Sequence, residues 1–133
     1  MNVVGLDHVV LRVRDLERMT RFYCDVLGCK VERTLAGLGM VQLRAGHSLI
    51  DLVEAAGALG RARGGPPGET GTNMDHFCVR IDPFDEGALA EHLSGHGVRV
   101  GEVATRYGAE GDGPSLYIDD PEGNTVELKG PVA

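Results

Sequence analysis

Eight residues near the start of the chain, Leu6-Asp7-His8-Val9-Val10-Leu11-Arg12-Val13, reappear in altered form about half a chain later as Met74-Asp75-His76-Phe77-Cys78-Val79-Arg80-Ile81. Asp, His and Arg recur in register. Self-similarity of this kind marks one supersecondary unit used twice, so the elements after the first copy should recur after the second. Asp15 can cap a helix whose apolar residues Leu16, Met19, Phe22, Tyr23, Val26 and Leu27 keep a 3.6 period, with Gly28 as the stop. Asp82-Pro83 opens the equivalent helix, carrying Phe84, Leu89 and Leu93, with Asp85 and Glu86 in its first turn and Gly95 or Gly97 at its end. Short β-patterned runs come after each helix, at 30–35, 39–44 and 48–53 and again at 98–103, 115–119 and 125–129. Each half is predicted to be βαβββ, an α+β arrangement. The expected layout is one domain over 1–133, with module one at 3–54, a Gly/Pro-rich linker at 55–73 and module two at 74–130. Residues 108–113, with three glycines, are expected to form a second flexible loop.

Strand side chains alternate, so Asp7, Val9, Leu11 and Val13 point one way while His8, Val10 and Arg12 point the other. The apolar row should pack on the helix, leaving His8 on the opposite, open face, and the same parity groups His76 with Cys78 and Arg80. On the last strand of each half, Asp51 and Glu127 are counterparts, within Ser48-Leu49-Ile50-Asp51-Leu52 and Asn124-Thr125-Val126-Glu127-Leu128. Each repeat therefore offers one imidazole and one carboxylate. A lone strand histidine is usually structural, but its repetition beside a carboxylate that is costly to bury uncompensated points to a bound cation. Two neutral imidazoles and two carboxylates balance one divalent ion, and N and O donors without thiolate suit Zn, Mn, Fe, Co or Ni. In a six-coordinate ion, four protein ligands would leave two positions for water or substrate, as a catalytic site requires.

Composition excludes several other classes. Twenty Asp and Glu against thirteen Lys and Arg give a formal charge of -7, which repels nucleic acid and anionic membranes. No apolar run approaches the roughly 20 residues of a membrane span and the first residues lack a signal-peptide pattern, so a cytoplasmic protein is expected. Cys24, Cys29 and Cys78 are odd in number and lack CxxC spacing, which favours buried reduced thiols. His92 and His96 stand four apart on the second helix, a spacing that would permit two metal ligands, but they have no first-half counterparts and His96 lies at the helix end, so they are not expected to be ligands. No phosphate-cradling glycine motif or serine nucleophile elbow is present.

With these motifs in place, the sequence resembles the vicinal oxygen chelate superfamily, which includes glyoxalase I, methylmalonyl-CoA epimerase, extradiol dioxygenases, fosfomycin-resistance proteins and bleomycin-binding proteins. The resemblance rests on Leu6-Asp7-His8-Val9, on the run from Phe22 to Gly28, on Met74-Asp75-His76-Phe77 and on the run from Asp119 to Leu128, and it covers nearly the whole chain. It implies strands curled into a mixed sheet around a metal-containing cleft, and a homodimer. It further implies that His8, His76 and Glu127 occupy the usual ligand positions and Asp51 the variable one, where His47 is an alternative ligand or substrate contact.

The function the resemblance implies is that of a divalent-metal-dependent, glyoxalase-like lyase or isomerase. Such an enzyme acts on a small α-oxygenated substrate through a metal-stabilised enediolate, with Glu127 as general base and Asp51 as the alternative. Arg12, Arg80, Arg106 and Tyr107 are further substrate-binding candidates. A metal-dependent thiol transferase or an extradiol dioxygenase would need only His8, His76 and Glu127. A sequestering protein similar to the bleomycin binders would dispense with the metal residues, and their retention argues against it.

Overall fold

The computed structural model describes residues 1–62 and 64–132. The chain divides into two compact units, Met1–Asn73 and Met74–Ala133, each with its own four-stranded sheet.

In the first unit, β1 (His8–Val13) leads to α1 (Leu16–Arg21), a π turn at Phe22–Val26, β2 (Lys30–Leu35), β3 (Met40–Ala45), β4 (Ser48–Glu54) and a short α2 (Ala58–Arg61). Asp15 caps α1, its side chain accepting from the Arg18 backbone N–H, and Gly28 ends the helical run at φ 74°. The sheet order is β1-β4-β3-β2, with β1 parallel to β4 and the other pairs antiparallel. Leu11, Leu43, Leu52, Met19 and Tyr23 are fully buried, Val41 and Ile50 nearly so, and these residues form the seam on which α1 lies. The first-strand parity read from the sequence holds, since Leu11 and Val13 are buried while His8 is exposed. β1 lies at a sheet edge, where its free peptide groups need partners. Asn73 supplies them at Arg12, accepting from its N–H at 3.1 Å and donating to its carbonyl at 3.0 Å.

The second unit runs β5 (Phe77–Arg80), α3 (Glu86–Gly95), β6 (Ala104–Gly108), β7 (Gly111–Asp119) and β8 (Thr125–Lys129), in sheet order β5-β8-β7-β6. Leu93, Leu116, Ile118, Val126 and Leu128 are its buried core. The βαβββ pattern thus occurs twice, and the chain is α+β as expected. Three boundaries differ from the sequence reading. The helix does not open at Asp82-Pro83, because Asp85 is the residue whose carboxylate accepts from the third residue on, Ala88, and so caps the first turn. Phe84 is left outside α3. Residues 98–103 are not a strand; only Gly101 bonds across, its N–H to the Tyr117 carbonyl, and the ladder to β7 begins at Ala104. Residues 108–113 are not a flexible loop, because β6 and β7 stay paired to Gly108 opposite Gly111 and leave a two-residue hairpin turn.

The linker expected at 55–73 carries α2, and Gly60 there is packed so closely on the Glu54 and Ala55 backbone that a Cβ would collide with it. Among the described residues no helix is long and apolar enough to cross a membrane. All three cysteines are free, but they are not all buried: Cys24 and Cys29 are half-buried and Cys78, on the open side of β5, is exposed.

Candidate metal and substrate site

The last strand of each unit is delivered by a tight connection. Before β8, Asp120 and Asn124 are buried, and the Asp120 carboxylate accepts from the backbone of Glu122 and Asn124 at 2.9 Å each and from the Asn124 side chain at 2.7 Å. Gly123 completes the turn at φ 85°. The Asp-Pro-Glu-Gly-Asn segment is therefore a built turn that sets the register of β8 and with it the position of Glu127.

In the first unit, the parallel β1–β4 register aligns His8 with Leu49 and Val10 with Asp51, so the imidazole and the carboxylate share a sheet face. Gln42 stands opposite Asp51 on β3 and donates to Asp51 Oδ2 at 3.2 Å. Asp51 is 2% exposed, and its other oxygen, Oδ1, is buried with no hydrogen-bond partner. A buried carboxylate oxygen without a donor is costly, and a cation is the partner that its charge demands.

In the second unit, Cys78 pairs with Glu127 in the β5–β8 register and Tyr117 stands across from Glu127 on β7. His76 lies one residue before β5. Its Nε2 is 3.4 Å from Glu127 Oε2, and its ring meets Tyr117 edge to face at 5.3 Å between centroids. Partial desolvation of its sulfur by the neighbouring strands pushes the Cys78 thiol up to about 11, with the charge of Glu127 adding to the effect and those of Lys129 and Arg80 opposing it.

Both histidines are oriented in the same way. Asp7 Oδ1 lies 2.7 Å from His8 Nδ1, and Asp75 Oδ1 lies 2.5 Å from His76 Nδ1. A carboxylate on Nδ1 places the proton there and leaves Nε2 with its lone pair, the arrangement in which an imidazole ligates a metal. The Asp7 hydrogen bond raises the His8 pKa above 6.5, opposed by desolvation and aided by the charges of Asp51 and Asp7. The donors fit a divalent cation in kind: two imidazoles with Nε2 open and two carboxylates, one with an orphaned buried oxygen. Each unit presents one such pair, and among the described residues no three His, Cys, Asp or Glu side chains gather into a group able to hold an ion.

The remaining candidates have other partners or lie elsewhere. Arg12 donates to the Gly65 carbonyl at 2.7 Å, and Arg80 pairs with Glu110. Arg106 donates to the Ser115 carbonyl and hydroxyl at 2.8 Å each and lies over the Tyr117 ring at 4.6 Å. Tyr107 is exposed on β6, and His47 is exposed in the turn between β3 and β4. The counterpart of Lys129 in the first repeat is the apolar Val53, so the repeat does not single it out. It shares the face of Glu127, two residues on, yet is only 6% exposed.

Residues 5–128 match the sequence profile of the Glyoxalase/Bleomycin resistance protein/Dioxygenase superfamily. The chain belongs to this superfamily. Its α+β fold of two open, mixed, four-stranded sheets is that of the vicinal oxygen chelate proteins. An integron cassette protein from the mobile metagenome of V. cholerae is 30% identical, with a TM-score of 0.78 and coverage of 99% of this chain and 98% of that one. A catechol-2,3-dioxygenase of Bacillus subtilis is 27% identical over 92% of this chain, which spans only 40% of that relative's length. A mitochondrial methylmalonyl-CoA epimerase of Bos taurus is 26% identical over 96% of this chain and 75% of its own length. Homologues of this superfamily chain, all at low identity, thus include dioxygenase, epimerase, lyase and thiol transferase.

Proposed function

We propose that this superfamily member is a divalent-metal-dependent lyase or isomerase of the glyoxalase type, acting on a small α-oxygenated substrate. The observation that carries the reading is the repeated pair: in each unit an imidazole with its Nδ1 held by the preceding aspartate shares a sheet face with a buried carboxylate, and one of those carboxylates has an orphaned oxygen. His8, Asp51, His76 and Glu127 would hold the ion. When bound, a divalent ion supplies Lewis acidity that stabilises negative charge developing on substrate oxygen.

Glu127 is the proposed base. It is 7% exposed, which shields its reacting oxygen from water, and the nearby His76 Nε2 marks the side from which substrate would approach. Glu127 takes the proton from the carbon next to the oxygenated centre and returns it to the neighbouring carbon on the same face. Asp51, held by Gln42 through Oδ2, is the alternative base. The dioxygenase and thiol transferase names among the relatives favour a second reading, in which His8, His76 and Glu127 suffice as ligands.

Elemental analysis of chelated protein reloaded separately with Zn, Mn, Fe, Co and Ni tests both readings. About one ion per chain is expected, lost in His76→Ala and kept in Glu127→Gln with a large fall in kcat, of about a hundredfold or more. Loss of the ion in Asp51→Ala supports the four-ligand site, and retention with full activity supports the three-ligand one. A protein that takes up no ion from any of the five sinks the metal-dependent proposal.

A further inference from the structure

The open face of the second sheet carries three cations near Glu127, and two of them are committed. Arg80 is paired with Glu110, and Arg106 is bonded to Ser115 and stacked on Tyr117. Lys129 is different. Its register places it beside Arg80 on one side and Ser115 on the other, and among the described residues its side chain has no hydrogen-bond or ion-pair partner. A nearly buried lysine with no partner is unusual, because long charged side chains are rarely enclosed unless paired.

The strand glycines show that the position is built. A Cβ at Gly108 would lie 2.8 Å from Lys129 Cε and 3.0 Å from Cδ, and a Cβ at Gly113 would lie 2.9 Å from Nζ and 2.7 and 3.0 Å from the backbone oxygens of Pro131 and Gly130. Two absent side chains on adjacent strands thus open a slot along which the lysine stem lies. Asp51 Oδ1 is the sole fully buried side-chain oxygen or nitrogen without a partner among the described residues, so the Lys129 amine, also without one, is still reached by solvent. The result is a cation without a side-chain partner among the described residues, at the end of a preformed slot on the face that carries Glu127.

We propose that Lys129 is the anion-binding residue of this face, and that the substrate is a small oxyanion whose carboxylate or phosphoryl oxygens accept from its amine. The identity of that anion as substrate rests on the proposed metal-dependent reading; the anion site itself does not need the ion. A point-charge ammonium with free donors suits either oxyanion.

The test uses the whole chain freed of metal by chelation, so that no ion can bind the probe. Inorganic phosphate and acetate are titrated separately while the Lys129 side-chain NMR signals are followed, and the titrations are repeated on Lys129→Met, which keeps the stem and removes the charge. One of the two probes is expected to shift the Lys129 signals and to bind about tenfold or more weakly to the variant. The tighter probe identifies the group as phosphoryl or carboxylate. Lys129→Met should retain the wild-type melting temperature or exceed it, and should take up metal as before. The proposal is overturned if neither probe moves the Lys129 signals of the unsubstituted protein, a result that needs no variant to fold, or if the variant binds as tightly. Phosphate or acetate binding in a protein that holds no ion would leave this inference standing while the metal reading fails, and the reverse result would separate them the other way.

Discussion

Each repeated Asp-His dipeptide is an acid–base unit as well as a ligand. The Asp7 hydrogen bond lifts the His8 pKa above 6.5 and so favours the protonated ring, whereas metal binding needs the neutral one. Proton and ion therefore compete at His8. Affinity for the ion is expected to be full above the raised pKa and to fall as the pH drops through it. Asp7→Asn removes the largest raising influence, so the midpoint should move to lower pH; metal titrations across a pH series would check this. An unmoved midpoint in Asp7→Asn would mean that Asp7 does not set the protonation of His8. The strand parity that pairs these residues is readable from the sequence, since period-two alternation and the repeat both select His8 with Asp51 and His76 with Glu127. Their hydrogen-bond partners are not, because the rotamer that brings Asp75 to 2.5 Å from His76 leaves no periodic trace.

The turn at 119–124 and the cap of α3 decide where their elements begin. Asp120 is 4% exposed and accepts three hydrogen bonds. Asp120→Ala should destabilise the protein by about 2 kcal/mol, whereas Asp85→Ala, which removes an exposed cap from the Ala88 N–H, should cost about 1 kcal/mol. Chemical denaturation of the two variants would test the order. If Asp85→Ala proved the more damaging, the motif turn would not be what holds β8 in register. Two segments of the second half depart from their sequence pattern for physical reasons at this scale. Val98, Val100 and Val103 look like strand residues, yet Val98 bonds back to the Leu93 carbonyl and the segment reaches the sheet through Gly101, whose Cβ position is filled by the Tyr117 carbonyl at 2.7 Å. Gly108 and Gly113 look like loop punctuation, but they lie in paired strands, where the Lys129 stem fills the space of a Gly108 side chain and the Pro131 carbonyl and Lys129 amine fill that of Gly113. Glycine marks close approach as often as it marks a turn, and only the partner's position tells the two apart.

At the scale of the whole molecule, each unit holds one imidazole and one carboxylate of the proposed set, and two donors are too few to close around an ion that takes four protein ligands. A complete set needs one pair from each repeat, drawn either from one chain or from two copies in the homodimer that the family resemblance implies. Mixing two inactive variants distinguishes these sources. His8→Ala retains a good second pair, and His76→Ala retains a good first pair. If pairs are exchanged between copies, a mixed dimer has one site that combines the intact pairs and one that combines both defects, so about one ion per mixed dimer and a matching share of turnover should return. If both pairs come from one chain, every chain in the mixture keeps its own defect and nothing returns. We expect restoration, because two copies related by a twofold axis can exchange equivalent modules and so complete both sites at once. The measurement is metal content and activity of the refolded mixture against each variant alone. Restoration in mixtures that run as dimers would assign one site to two chains, and its absence would confine the site to one.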